Sequence, residues 1–242
     1  MADEYRSSYG VTGQVLYPPR AKDCPSFDRE PKTYRKEAGQ LVGAFAGNIY
    51  DAGYARLILT LAECLDARGG KLLLFVPQST SALRSLGLDL RNVFSQGLVE
   101  AKELIARLSN EADFVFVPMA FASREYEQNM RLAFPSKLTD YTATGLPLLI
   151  CGPECCSAVR WARANTAAEI VSTQTIEALG TALDRLEDAS YRERLGRAAS
   201  EAGDRCFSHR GCVAMLHQAL LCVQRPGQDS TTPFDARHVP SR

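Results

Sequence analysis

Short runs of almost purely apolar residues alternate with helical patterns along most of the chain. The clearest runs are LVGAFA at 41–46, KLLLFV at 71–76 and DFVFVP at 113–118. Between the first two, segment 53–67 carries apolar residues at helical spacing. Strands that lack a polar face are typical of a parallel sheet covered on both sides. We therefore predict an α/β fold, a Rossmann-like parallel sheet with helices on both faces, followed by C-terminal helices.

Composition divides the chain into three parts. Residues 1–38 are polar and broken by several prolines, and we interpret them as an N-terminal arm or interdomain connector with one short strand at 14–17. Residues 39–224 hold the predicted Rossmann-like domain. Residues 225–242 are rich in Pro, Ser, Thr and charged residues, which predicts a disordered tail.

The charge balance and the cysteines exclude several classes of protein. The 242 residues include 28 basic and 28 acidic side chains, which argues against a general nucleic-acid binder. No apolar run is long enough for a transmembrane helix, and residues 1–20 lack the apolar core of a secretory signal. The eight cysteines form no Cys-x2-Cys pair, so we predict no metal site and reduced thiols in the cytoplasm.

The most informative motif is FPSKLTDYTATGLPLLI at 134–150. Ser136 is a good helix N-cap, and the amides of a first helical turn can bind an anion. Lys137 adds a cation, and Asp140 offers a carboxylate one turn further along. A phosphate beside a sugar hydroxyl would suit this arrangement. A capped helix with a charged, exposed face explains the same residues, and the spacing alone leaves both interpretations open.

Ligands of parallel sheets bind beyond the carboxyl ends of the strands, where the strand order switches. Three predicted turns lie at such ends: residues 47–51, residues 118–122 and the loop that leads into Ser136. No Gly-x-Gly-x-x-Gly follows the first strand, and no Walker lysine motif occurs. The common dinucleotide and P-loop sites are therefore absent from the sequence.

The order of these segments resembles the C-terminal, donor-binding domain of GT-B glycosyltransferases. The similar enzymes are the retaining, family 4-like transferases that build bacterial lipopolysaccharide, capsule and exopolysaccharide. The resemblance extends over about residues 14–223 and is most specific at the Pro-Ser-Lys to Gly-x-Pro run. The features that carry it are Gly47-Asn48, Gly97, Glu103-Leu104, Ala112-Asp113, Pro118, Pro135-Ser136-Lys137-Leu138, Asp140-Tyr141, Gly145-x-Pro147 and Arg194-Leu195.

The resemblance implies a binding site for a nucleotide-diphosphate-sugar, which is a substrate and not a cofactor. Asp140 matches the acidic position that holds the ribose hydroxyls, and Ser136 and Lys137 lie in the turn near the diphosphate. The turn at Gly47 and Asn48 would lie under the phosphates. No catalytic residue is assigned. The donor-site residues implied are Gly47, Asn48, Pro118, Ser136, Lys137, Leu138 and Asp140.

Two departures from the family pattern put activity in doubt. Leu132 stands where many relatives carry a second glutamate, and Asp51 and Arg56 follow the first strand in place of an Arg and a Lys. We expect the chain to be an excised or naturally separate C-terminal half that binds the donor and transfers little. Its further partners would be a missing N-terminal GT-B domain, a glycan or lipid-linked acceptor and, through the missing half, a membrane surface.

Two other interpretations stay open. A GT-B-fold epimerase of the UDP-N-acetylglucosamine type would use the same fold, although the core region of the chain contains no histidine. A degenerate, non-catalytic domain that serves assembly would explain Leu132. Outside the motif, we predict that Trp161 packs against a helix face and that Arg192, Arg194 and Arg197 form a solvated helix face.

Overall fold

A computed structural model describes residues 2–24, 30–36, 39–49, 52–121 and 131–223. Six parallel strands form one sheet in the order β3-β2-β1-β4-β5-β6. The predicted Rossmann-like fold is therefore confirmed. The strands are β1 Val42–Ala46, β2 Lys71–Phe75, β3 Val93–Ser95, β4 Phe114–Pro118, β5 Leu148–Cys151 and β6 Glu169–Val171.

Helices connect the strands and continue beyond the last one. A 3₁₀ turn at Lys32–Arg35 precedes β1. The chain ends its described part in three successive helices, as the sequence predicts. The α-helices are α1 Ala2–Tyr9, α2 Ala52–Asp66, α3 Thr80–Ser85, α4 Ala101–Glu111, α5 Lys137–Tyr141, α6 Ser157–Asn165, α7 Ile176–Leu186, α8 Ala189–Phe207 and α9 His209–Val223.

Alternate residues of the central strands enter two separate cores. Phe45 and Phe114 belong to the core that α2 and α7 cover, while Ala44 and Val115 belong to the core beneath α5, α6 and α8. Side chains of successive strand residues point to opposite faces, so a strand that is apolar throughout contributes to both cores. Trp161 is 4% exposed in the second core, which confirms the prediction that it packs.

The strand order places the candidate site. From β1 the chain proceeds outward to β2 and β3, then returns to β4 on the other side of β1. The switch point therefore lies between the carboxyl ends of β1 and β4, where crossover connections leave in opposite directions and open a crevice.

The amino-terminal segment differs from the prediction. Residues 14–17 are not one of the six strands, whereas Ala2–Tyr9 forms a helix. The predicted disordered tail at 225–242 lies outside the described residues. Within the described part, each helix falls short of the length or hydropathy that a membrane-spanning segment needs.

The prediction of a solvated arginine face is wrong for Arg192, which is 1% exposed. Its guanidinium donates to the carbonyls of Thr33 and Lys36 at 2.9 and 2.6 Å, and to those of Leu186 and Glu187 at 2.7 and 2.9 Å. Burial lowers its pKa. Arg192 thus fastens the 3₁₀ turn to α8, while Arg194 and Arg197 are exposed as predicted.

Candidate functional site

The turn after β1 forms one wall of the switch point. Gly47 has φ +129°, a conformation that residues with a Cβ rarely adopt, and its N–H donates to the Phe75 carbonyl at 3.0 Å. Asn48 follows and is exposed. The sequence predicted both residues, and the structure places them at the carboxyl end of the central strand.

The side chain of Lys137 reaches this turn from α5. A Cβ atom at Gly47 would lie 3.2 Å from Lys137 Nζ. The ammonium lies 4.3 Å from the centre of the Phe45 ring and 5.9 Å from that of Tyr54. Glycine at 47 therefore leaves the space in which the lysine ends.

Within the described part of the chain, the buried Nζ of Lys137 has no hydrogen-bond partner. Burial lowers the Lys137 pKa from its ordinary 10.5 to about 8. The two aromatic rings stabilise the cation in part. A buried ammonium that lacks an acceptor is costly, and an anion at the turn would provide one.

The start of α5 differs from the prediction in its hydrogen bonds. Ser136 has helical dihedral angles and makes no side-chain cap. The N–H groups of Leu138 and Thr139 donate to the carbonyls of Pro135 and Ser136 at 3.1 and 2.9 Å. Ser136 therefore occupies the predicted N-cap position without capping the helix through its side chain, and these two amides are already occupied. The positively charged side chain at this turn is that of Lys137.

Two of the predicted residues are packed into the fold. Leu138 is fully buried in the core beneath α5, so its side chain holds the helix down. Pro118 ends β4 beside Cys151 of β5 and is also buried. Both fix the geometry of the switch point, and neither side chain projects from it.

Asp140 is half-buried and follows Thr139, whose carbonyl accepts a hydrogen bond from Arg20 of the amino-terminal segment. Burial raises the pKa of its carboxyl group, and the nearby Arg20 guanidinium opposes that rise. Burial raises the pKa of the Cys24 thiol, on which Arg20 and Asp140 act in opposite directions. The structure thus brings Lys137 to Gly47, and it brings Arg20 to Thr139, the residue before Asp140.

Sequence reasoning missed Phe45 and Arg20 as contributors to this site, and it gave no position for Tyr54. Phe45 and Tyr54 flank the Lys137 ammonium, and Arg20 lies beside Asp140. Phe45 reads only as a core residue of a strand. Arg20 lies 119 residues before its bonding partner Thr139, and no local pattern signals that contact.

Some of the predicted site lies outside the described residues, namely Asp51 and positions 122–130 of the loop after β4. Among the residues that the structure describes, no group of three or more His, Cys, Asp or Glu side chains is placed to hold a metal ion.

No protein-family model and no curated protein matches the sequence. Solved glycosyltransferase structures do match the fold. WaaG, a glycosyltransferase involved in lipopolysaccharide biosynthesis, superposes with a TM-score of 0.58 at 18% identity over 93% of this chain. A glycosyltransferase from Rickettsia africae gives 0.63 at 13% identity over 93%, and Anabaena HepE in complex with UDP-glucose gives 0.60 at 14% over 86%. The chain has a Rossmann-like fold of the GT-B glycosyltransferase type.

The likeness extends over part of each of these proteins. This chain spans 60% of WaaG, 62% of the Rickettsia enzyme and 57% of HepE. At these identities the comparison concerns the arrangement of strands and helices alone. The residues of the site therefore have to be argued from the geometry of this chain.

Proposed function

We propose that this domain binds the diphosphate of a nucleotide-sugar donor at the switch point between β1 and β4, with Lys137 as the phosphate-binding cation. The observation that carries the proposal is the buried ammonium of Lys137, which lies at the Gly47 turn without a hydrogen-bond partner in the described chain. A phosphate oxygen at that turn would accept a charge-assisted hydrogen bond from Nζ.

The chemistry of sugar transfer gives Lys137 a specific role in this proposal. When the bond between the sugar and the diphosphate breaks, negative charge builds up on the departing phosphate. A preorganised cation in a site shielded from water stabilises that charge more than water does. Glycine at 47 allows a close approach of the phosphate, and Asp140 accepts hydrogen bonds from the ribose hydroxyls.

The wider setting of the proposal is a two-domain glycosyltransferase. HepE, one of the structural neighbours, has been solved with UDP-glucose. We place the donor site on this domain, and the acceptor, a glycan or a lipid-linked sugar of a bacterial surface polysaccharide, mainly on a second GT-B domain. A cytoplasmic site of action agrees with cysteines that form no disulfide among those described.

Calorimetric titration of the chain with UDP, GDP, ADP and dTDP tests the binding step. We expect one of these to bind and Lys137→Met to weaken its affinity by about tenfold or more, since a charged hydrogen bond is lost. The affinity for the corresponding nucleoside monophosphate should fall less on the same substitution. Lys102→Met, which removes an exposed lysine paired with Asp23, is the matched control. Folded protein that binds none of the four diphosphates would remove the proposal.

A second candidate function retains the binding and lacks the transfer. Leu132, at the position where relatives carry a glutamate, lines a cavity of about 250 Å³ together with Phe134, Trp161 and the polar Arg160 and Asn165. Leucine at this position offers no carboxylate to a donor sugar, which favours a domain that holds a nucleotide without acting on the sugar. Nucleotide binding without hydrolysis or transfer of the donor sugar, in the presence of the complementary domain, would support it.

A further inference from the structure

Arg20, in the amino-terminal segment, is 8% exposed and spans to the site helix. Its guanidinium donates to the Thr139 carbonyl at 3.0 Å and to Thr142 Oγ1 at 2.9 Å. It also pairs with Asp204 of α8 at 2.5 Å. Thr139 belongs to α5 and Thr142 ends it, so one buried side chain binds the helix that carries both Lys137 and Asp140.

Helix α8 is shaped to let this arginine through. A Cβ atom at Gly203 would overlap both the Arg20 guanidinium and Thr142 Oγ1. The backbone of Arg20 is fixed as well, because its N–H donates to the Phe207 carbonyl at 2.8 Å. The position of the Arg20 side chain thus depends on three parts of the chain: the amino-terminal segment, α8 and the end of α5.

A second contact of the same kind lies at the far end of α5. Tyr34, in the 3₁₀ turn, donates through its hydroxyl to the Gly145 carbonyl at 2.5 Å. A Cβ atom at Gly196 of α8 would overlap both of these groups. The segment before the sheet therefore binds the second half of α5 and the turn that follows it, and each contact passes a glycine on one face of α8.

The site helix passes this constraint to the turn after β1. Tyr141, the last residue of α5, hydrogen-bonds through its hydroxyl to both the N–H and the carbonyl of Ala46, at 2.7 and 2.8 Å. Ala46 immediately precedes Gly47. Hydrogen bonds at each side of α5, together with the backbone of that helix, therefore connect Arg20 to the turn at which Lys137 ends.

Arg20 also determines the charge around Asp140. The titratable groups that face this carboxylate in the described chain are Arg20, Cys24 and Tyr141. Of these only Arg20 carries a positive charge. Burial favours the neutral carboxylic acid, and the guanidinium opposes it. A protonated Asp140 would be a poorer acceptor for two sugar hydroxyls.

We infer that Arg20 is a positioning residue of the proposed nucleotide site: through its bonds to Thr139 and Thr142, on either side of Asp140 in the chain, it holds α5 from the amino-terminal segment and places a positive charge beside the Asp140 carboxyl group. This inference rests on the proposed function for its ligand and on the contacts above for its geometry.

The test compares wild type with Arg20→Gln and Arg20→Lys. Carbon-13 NMR of labelled aspartate reports the pKa of Asp140, and Asp140→Asn assigns its signal. Calorimetry against UDP and the other three diphosphates reports affinity from acidic to neutral pH. We expect Arg20→Gln to raise the Asp140 pKa, because the opposing positive charge is lost, and Arg20→Lys to reverse most of that rise. Because Asp140 is protonated below its pKa, the loss of binding on acidification should move to higher pH in Arg20→Gln.

Arg197→Gln is the matched control, since the contacts described for Arg197 are with Glu30, Glu193 and the Tyr34 ring, none of which belongs to α5. It should leave both the Asp140 pKa and the binding profile unchanged. If Arg20→Gln does not fold, Thr142→Val removes one hydrogen-bond acceptor of Arg20 at nearly constant side-chain volume. We expect this variant to keep the wild-type fold in the absence of ligand and to bind the diphosphate more weakly.

The outcomes separate the two proposals. An Asp140 pKa that is the same in folded Arg20→Gln as in wild type overturns the inference, as does a loss of binding that Arg197→Gln reproduces or Arg20→Lys does not relieve. Should Arg20→Gln be unfolded, unchanged binding by Thr142→Val overturns it too. Absence of diphosphate binding by wild type removes the proposed function, while the NMR titration still decides whether Arg20 governs Asp140.

Discussion

Tyr141 closes the carboxyl end of β1 by bonding to both backbone groups of Ala46. Its Oη accepts from the Ala46 N–H at 2.7 Å and donates to the Ala46 carbonyl at 2.8 Å. Tyr141 is 1% exposed, and burial raises its pKa, so the hydroxyl keeps its proton. At Ala46, where β1 no longer pairs with β4, the Tyr141 hydroxyl supplies the hydrogen bonds that a neighbouring strand would otherwise make.

Tyr141→Phe should destabilise the protein by about 1–3 kcal/mol, because two buried backbone groups lose their partner while the ring stays in place. The difference is measured by urea unfolding. Tyr5→Phe, on an exposed ring of α1, should stay within about 0.5 kcal/mol of wild type. Equal stability of the two variants would show that Ala46 finds other partners.

Lys137→Met should stabilise the unliganded protein at neutral pH. The folded-state pKa of Lys137 is about 8 against an ordinary 10.5, so between these values the unfolded chain binds more protons than the folded one. Stability of wild type therefore rises with pH over this window, and the penalty of the buried charge is fully present below it. Removing the charge should gain up to about 3 kcal/mol there.

The measurement is urea unfolding of wild type and Lys137→Met at about pH 7 and about pH 10, where the difference between them should shrink toward zero. Lys102→Met repeats the experiment on an exposed lysine and should show no such pH dependence. A difference that is constant across the range would mean that Lys137 is not the group that titrates.

Gly47→Ala should cost stability on two grounds. The backbone at φ +129° is strained for alanine by about 1–3 kcal/mol, and the new methyl group would press on Lys137 Nζ at 3.2 Å. The same substitution at Gly13, where no atom lies within 4 Å of the added Cβ and φ is not positive, serves as control. Denaturant unfolding compares the two, and a Gly47→Ala protein as stable as Gly13→Ala would exclude strain at the turn.

The sheet could be predicted from the sequence because its information is local. Runs such as 113–118 are apolar at every position and short, and a parallel sheet covered on both faces is the arrangement that buries such strands. The glycine turn after β1 was also predictable, since Gly47 directly follows an apolar run. The residues adjacent in the chain were sufficient to predict these strands and this turn.

The site contacts could be predicted only in part, because they depend on distant residues. Lys137 and Asp140 were singled out by type and spacing, but their partners come from β1 and from residue 20. Ser136 has the residue type of an N-cap, yet the turn formed by Pro135 and Ser136 already supplies acceptors for the first amides of α5. Tertiary packing decides which of several local hydrogen bonds forms.

Arg192 gives the sharpest test of that distinction, because the sequence places it on a charged helix face and the structure buries it. Arg192→Gln would leave the carbonyls of Thr33, Lys36, Leu186 and Glu187 short of donors. Each unsatisfied buried acceptor is costly, so we expect a loss of about 2–4 kcal/mol in the free energy of unfolding.

Arg194→Gln, two residues further along α8, is the matched control. Arg194 is exposed and lies over the Tyr191 ring at 4.8 Å, so its removal should change stability by no more than about 0.5 kcal/mol. Urea unfolding of both variants decides between a buried and a solvated Arg192.

Because Arg192 fastens the segment that carries Tyr34, its loss should also make the amides of residues 32–36 exchange faster. Arg194→Gln should leave their exchange at the wild-type rate.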